Sequence, residues 1–230
     1  MIHGTGTDSS VFDEAVGSLA GSWRTVTVDR RGWGRSVPPD EYRRTSIAEQ
    51  AIEVAAVLRE LKVEDATLVG LGFGAVVALE IALADPELAA RSFLIEPPVF
   101  GALKEATEGM SADVDAIRAA AGEGGEEAAY ELFLTGRLHT LGVGAERFAD
   151  HADRGPAAAR SFLIEIPAVP AWSLDPVRLA GLESEVTVVT LPSTPDLLGR
   201  ASQAVADRVP AAATIHSSRD GIAAVAALLA

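Results

Sequence analysis

The run LVGLGFGAVVALEIALADPE, Leu68 to Glu87, limits the fold more than any other stretch of the chain. It opens as an apolar strand, closes as a helix, and joins the two through Gly70, Gly72 and Gly74. A buried strand that turns at once into a helix is the unit from which parallel sheets with crossover helices are built. The rest of the chain keeps the same rhythm. Strands are expected at Thr25–Val28, Thr67–Leu71, Ser92–Ile95, Val186–Leu191 and Ala212–His216, where Val, Ile, Leu and Thr are bounded by Gly, Pro or charge. Helical patterns lie between them at Val11–Leu19, Ile47–Leu61, Gly74–Ala84, Leu197–Arg208 and Ile222–Leu229. The class is α/β, a mostly parallel sheet with helices on both faces.

One region breaks the alternation. From about Phe100 to Pro176 the chain is rich in Ala and Glu, with helical patterns at Asp113–Ala121 and Glu126–Leu134 separated by GEGG. It reads as a helical insertion, so residues 1–99 and 177–230 form the α/β core and 100–176 a cap, within one structural domain.

Charge and composition exclude several partners. The net charge of −14, from 33 acidic and 19 basic residues, argues against nucleic acid and anionic membranes, which need a basic face. With no cysteine there is neither a thiolate nucleophile nor a cysteine metal site, and His151 and Asp153, two apart on a presumed helix, diverge rather than chelate. No cofactor or metal is implied. The start, MIHGTGTDSS, has no basic segment followed by an apolar one, so a cytoplasmic protein is the expectation.

Four motifs now fall into register: IHGTG (Ile2–Gly6), VDRRGWGRS (Val28–Ser36), the glycine-rich turn, and FLIEPP (Phe93–Pro98). In order and spacing the chain resembles a small, bacterial-type α/β-hydrolase with a helical cap. The resemblance implies that the glycine-rich turn is the G-x-S-x-G nucleophile elbow, in which the central side chain stands above the sheet at a helix N-terminus. Here the central residue is Gly72, and neither Leu71 nor Phe73 supplies an attacking atom, so a covalent acyl-enzyme through this position is chemically excluded. A dinucleotide fingerprint is a poorer reading of the same run, because Val77 stands where the third glycine belongs.

The resemblance also places the remaining machinery. An acid is expected after VTVVT, where Thr194 or Pro195 stands and Asp196 comes late; a histidine is expected beyond the last strand, where His216 sits at the strand's end. Glu96, in FLIEPP, follows the sixth strand of the family's sheet, from which haloalkane dehalogenases among others take their acid. Glu96 and His216 are therefore the candidate catalytic residues. The oxyanion-hole donors implied are the main-chain amides of Phe73 and of Thr5 or Gly6, and main-chain donors survive the loss of the serine. His3 is expected to hold its loop by hydrogen bonding. Only Met1 and Ile2 precede His3, where the resemblance implies two antiparallel strands and most of a third: either the sequence begins internally, or the sheet is reduced and Thr25–Val28 forms an exposed edge open to pairing with a second copy.

A dismantled Ser-His-Asp triad over an intact oxyanion hole points to a small, largely apolar, carbonyl-bearing ligand. Two function classes compete. One is a non-covalent enzyme, such as a cyclase, lyase or isomerase, using main-chain polarisation and Glu96 or His216 as base; the other is an inactive binding or scaffolding pseudo-hydrolase. A third is a hydrolase in which a side chain activates water directly. An open pocket with converging polar groups favours the enzyme, and a pocket filled by side chains favours the scaffold.

Overall fold

In a computed structural model, which describes residues 1–221 and 223–229, the chain forms a parallel sheet in the order β1 (Ala66–Leu71), β2 (Ala89–Ile95), β3 (Glu185–Thr190) and β4 (Ala213–His216). All three ladders are parallel and in continuous register from Leu68 opposite Ser92 to Val189 opposite Ile215. Ile2 lies beyond β1, bridged in parallel to Gly70 on one side and to Val28 on the other.

Strand periodicity sorts the side chains onto two faces. Leu68, Leu94 and Val188 point to one, where α2 (Ile47–Glu60), α3 (Phe73–Ala84) and α8 (Asp196–Ala206) cover them. Val69, Leu71, Phe93, Ile95 and Val189 point to the other, against α1 (Asp13–Leu19) and α9 (Ala223–Leu229). α3 is apolar around its whole circumference because it is packed on every side; its one acid, Glu80, is buried and held by Arg178 and the Trp172 indole.

Between β2 and β3 lie α4 (Ala106–Leu134), α5 (Ala158–Glu165) and the short α6 (Ala168–Ala171), with α7 (Pro176–Ala180) leading into β3. α4 is two helices end to end, broken where Gly125 takes φ 79°, which explains the two patterns flanking GEGG. Tyr130, Phe133, Leu134 and Phe162 make an aromatic core for this segment, and Trp33 enters it from the sheet side.

Two expectations are corrected. Thr25–Val28 is not a ladder strand: its sheet neighbour is Met1–Ile2, which supports the single bridge at Val28 and a bond from Val28 N to Met1 O (3.3 Å). β2 starts at Ala89 rather than Ser92, because Ala89 and Arg91 pair with Ala66 and Thr67 although Ala90 and Arg91 are exposed and carry no apolar signal. Ile222, the expected first residue of the last helix, lies outside the described residues. Among those residues no helix is long and apolar enough to cross a membrane.

Candidate functional site

The glycine-rich turn sits at the carboxyl end of β1. Gly72 takes φ 55° and ψ −118°, donates its N–H to Ile95 O (2.9 Å), and accepts the Ala75 N–H on its own carbonyl (2.9 Å). That φ is one L side chains rarely adopt. The three glycines serve different ends. A Cβ on Gly70 would lie 2.2 Å from Gly74 O, and one on Gly74 2.2 Å from Ile2 O, so both are fixed by backbone packing. A Cβ on Gly72 would meet nothing nearer than the Gly4 Cα, at 3.9 Å. The turn thus has room for a central side chain and none is there.

Beside it runs the loop from His3 to Thr7. His3 is fully buried; its Nδ1 donates to Gly4 O (2.8 Å) and its Nε2 accepts the Arg30 main-chain N–H (3.0 Å), so it is neutral and spans the loop. Arg30, also buried, donates through Nε to His3 O (3.0 Å), ion-pairs with Glu165 of α5, and lies over the Phe73 ring, 4.5 Å from its centroid. Glu165 gathers further donors: the Thr5 hydroxyl (2.9 Å) and the Trp33 indole (2.8 Å). Tyr130 and the Asp153 N–H both bond Gly6 O (3.0 and 2.9 Å). The loop is therefore clamped from below by Arg30 and from above by α5.

Burial and the neighbouring Arg30 charge hold the His3 pKa well below its ordinary 6.5. The folded protein therefore binds fewer protons than the unfolded chain below that value, so stability is complete above it and falls as pH drops toward the folded pKa. The expected slope is about 0.7 kcal/mol per pH unit at pH 6.5 and approaches about 1.4 a unit lower. Urea unfolding between about pH 5.5 and 7.5 measures it, and His3→Gln should remove that component of the slope.

Glu96 stands at the carboxyl end of β2, 2% exposed, with an unusual φ of 49°. Arg147, from the 3-10 turn Ala145–His151, grips its carboxylate with both terminal nitrogens, Nη1 to Oε1 at 2.9 Å and Nη2 to Oε2 at 2.6 Å. The Thr194 hydroxyl donates to the same carboxylate. Arg147 also reaches Ser193 Oγ (3.0 Å), which donates to Asp220 (2.6 Å).

These groups border one cavity of about 110 Å³ under the segment between β2 and β3. Gly72, Phe73 and Thr5 line one end, Glu96 and Arg147 another, and Phe100, Met110, Phe133 and Leu198 are among its apolar walls. The main-chain N–H groups of Phe73, first in α3, and of Thr5 have no acceptor among the described residues. Gly6, the alternative donor, is not part of the lining.

His216 is elsewhere. It ends β4, is exposed, bonds the Thr190 hydroxyl through Nδ1 (2.6 Å), and is three strand spacings, roughly 14 Å, from β1 across the sheet. The structure does not bring it to the elbow, because β4 ends in an exposed loop rather than folding back over the sheet. Asp196 is on the surface, paired with Arg200 one helical turn on. His139 and His151 are exposed and neither lines the cavity. The polar residues that sequence reasoning passed over are Arg147 and Glu165. Glu165 carried a signal, a lone acid within SFLIEIPAV; Arg147, in GAERFAD, carried none.

A model of the alpha/beta hydrolase family matches residues 1–227. The chain belongs to this family. Among curated hydrolase-family proteins, a probable esterase of Oryza sativa subsp. japonica is 31% identical over 97 residues, 41% of this chain and 36% of that protein. A putative carbamate hydrolase RutD of Serratia proteamaculans (strain 568) is 36% identical over 87 residues, 37% and 32% of the two chains. The matched segment is about a third of the length of these relatives. Solved structures share the fold over nearly the whole chain. A hydrolase from Pseudomonas aeruginosa PA01 superposes with a TM-score of 0.70 at 20% identity, covering 97% of this chain and 83% of that one. Rv0554 from Mycobacterium tuberculosis superposes with a TM-score of 0.72 at 17% identity, covering 99% and 87%.

Proposed function

We propose that this hydrolase-family chain binds a small, neutral, largely apolar ligand through a carbonyl group, under a helical cap formed by residues 100–176, and forms no acyl-enzyme. The observation that carries the reading is the elbow itself: Gly72 leaves it without a nucleophile while the Phe73 and Thr5 N–H groups stay free at an open cavity. Such donors favour a polarised carbonyl oxygen in a water-poor site.

Binding is favoured over turnover by the state of the acids. Glu165 is saturated by Arg30, Thr5 and Trp33, and Glu96 has both oxygens engaged, by Arg147 and Thr194. Among the described residues no histidine lines the cavity. A general base needs a free lone pair within reach of the proton it takes. The non-covalent enzyme remains the second reading for one reason, that Glu96 borders the cavity with one acceptor position on Oε2 open.

The test compares ketones and lactones with their methylene and cyclic-ether analogues by NMR titration. Loss of one net hydrogen bond, about 1 kcal/mol, should weaken binding about fivefold. Equal affinity for both series would remove the oxyanion donors from the account. The same reading predicts that Gly72→Ser gives no efficient esterase, since a serine at its ordinary pKa needs a histidine to accept its proton. Mass spectrometry after exposure to activated short-chain esters should show no acyl adduct, and burst kinetics with sustained turnover would contradict the proposal.

A further inference from the structure

We propose that Glu96 sets the charge selectivity of this cavity: its carboxylate occupies the Arg147 guanidinium as a built-in anion, so the cavity accepts neutral carbonyl compounds and refuses their carboxylates. The inference rests on the binding reading above and narrows its ligand class.

Guanidinium recognises carboxylates bidentately, two parallel N–H donors to two oxygens. In Arg147 that face is already occupied. Nη1 and Nη2 bond the two oxygens of Glu96, Nη1 also bonds Ser193 Oγ, and Nε bonds Gly144 O (3.1 Å). The plane lies 5.3 Å from the centroid of the Phe148 ring, which fixes it further. Both partners line the cavity, the Arg147 side chain 16% exposed and that of Glu96 2%.

Beyond the two main-chain donors of Phe73 and Thr5, the described lining offers an anion no unpaired cation. The other ionisable group there is Glu165, a second carboxylate, whose cation Arg30 lies behind it and outside the lining. A carboxylate ligand would shed its water and meet two acids and no available cation, which disfavours it strongly. A neutral ester or lactone meets no such penalty.

Removing the Glu96 carboxylate leaves a ready-made receptor. The vacated volume is bordered by the Arg147 fork and the Thr194 hydroxyl, the same three donors that held Glu96. Glu96 also has a left-handed φ of 49°, a conformation costly for a residue other than glycine. A residue that serves only as a strut between β2 and the turn at Ala145–His151 would affect all ligands alike; one that fills an anion site changes which ligand binds.

The experiment titrates the purified chain with methyl hexanoate and with hexanoate at one pH and ionic strength. The wild type should favour the ester by about tenfold or more, and Glu96→Ala should gain at least about tenfold in hexanoate affinity and lower the ester-to-hexanoate preference. Glu96→Gln, which preserves volume, should shift the ratio the same way by less. Adding Arg147→Met to Glu96→Ala should abolish the gain. If Glu96→Ala is weakly folded, its Tm should rise with hexanoate concentration more than that of the wild type, and if it does not fold, Glu96→Gln decides. A folded Glu96 variant that binds hexanoate no better than the wild type overturns the proposal. A wild type that binds neither probe counts against the carbonyl-binding reading, whereas the hexanoate gain in the variants still reads Glu96 separately.

Discussion

Replacing Glu165 by alanine is expected to cost about 3–5 kcal/mol of stability, the range for leaving one member of a buried ion pair without its partner. Both side chains of the Arg30–Glu165 pair are completely buried. Without the carboxylate, Arg30 keeps only the carbonyls of His3 and Gly4 (3.0 and 3.1 Å) and its position over Phe73, which do not neutralise its charge. The Thr5 hydroxyl and Trp33 indole lose their acceptor in the same stroke. By contrast Arg118→Ala, which breaks the pair with Asp115 in which both side chains are more than three-quarters exposed, should change stability by at most about 0.5 kcal/mol. Glu165→Leu combined with Arg30→Met should recover much of the loss, because two matched apolar groups leave no stranded charge. Urea unfolding of the wild type and these variants checks the order. A Glu165→Ala cost below about 1 kcal/mol would mean that the clamp on the His3–Thr7 loop is not held by this pair.

The same pair shows where the sequence stops being informative. The parallel sheet is legible because each strand is a short apolar run with its own boundaries, and because Leu68 and Val69, or Val188 and Val189, divide between two faces whatever the partner strand is. The elbow is legible because three alternate glycines between a strand and a helix have few other uses. Glu96 is placed by the strand it ends. Its state is not. Arg147 is 51 residues away and Arg30 lies 135 residues from Glu165, and the distance is closed only by the way the segment between β2 and β3 folds over the sheet. A sequence displays charges, whereas a base and an ion-pair member differ only in what lies within hydrogen-bonding reach. The Thr25–Val28 run fails for the complementary reason. Its composition is that of a strand, but a ladder needs a neighbour along its whole length, and only Met1 and Ile2 provide one.

The elbow yields the other large effect, and its ordering separates backbone from chemistry. Gly74→Ala is expected to lose about 3 kcal/mol, the upper part of the range for overpacking, although alanine in a helix is ordinarily better than glycine by about 1 kcal/mol. Its Cβ would lie 2.2 Å from Ile2 O and 2.5 Å from His3 O. Neither atom is free to retreat: Ile2 O accepts the Leu71 N–H (3.0 Å) and His3 O accepts Arg30 Nε (3.0 Å). Relief requires α3 to move away from the loop, which loosens the Ile2 bridges and displaces the free N–H groups of Phe73 and Thr5 together. Gly70→Ala should be comparably damaging, since its Cβ meets Gly74 O at 2.2 Å and the Ala75 Cα at 2.5 Å. Gly72→Ala should cost only about 1–2 kcal/mol, the lower part of the range for a sparsely populated backbone conformation, because the space above it is open. Thermal and urea unfolding of the three alanine variants measures the order, and a Gly72 variant as unstable as the other two would contradict it. The outer glycines let β1, α3 and the His3 loop approach one another, while the central position only presents a side chain. The geometry of this turn therefore needs no side chain at its centre, and neither do the free N–H groups of Phe73 and Thr5 beside it.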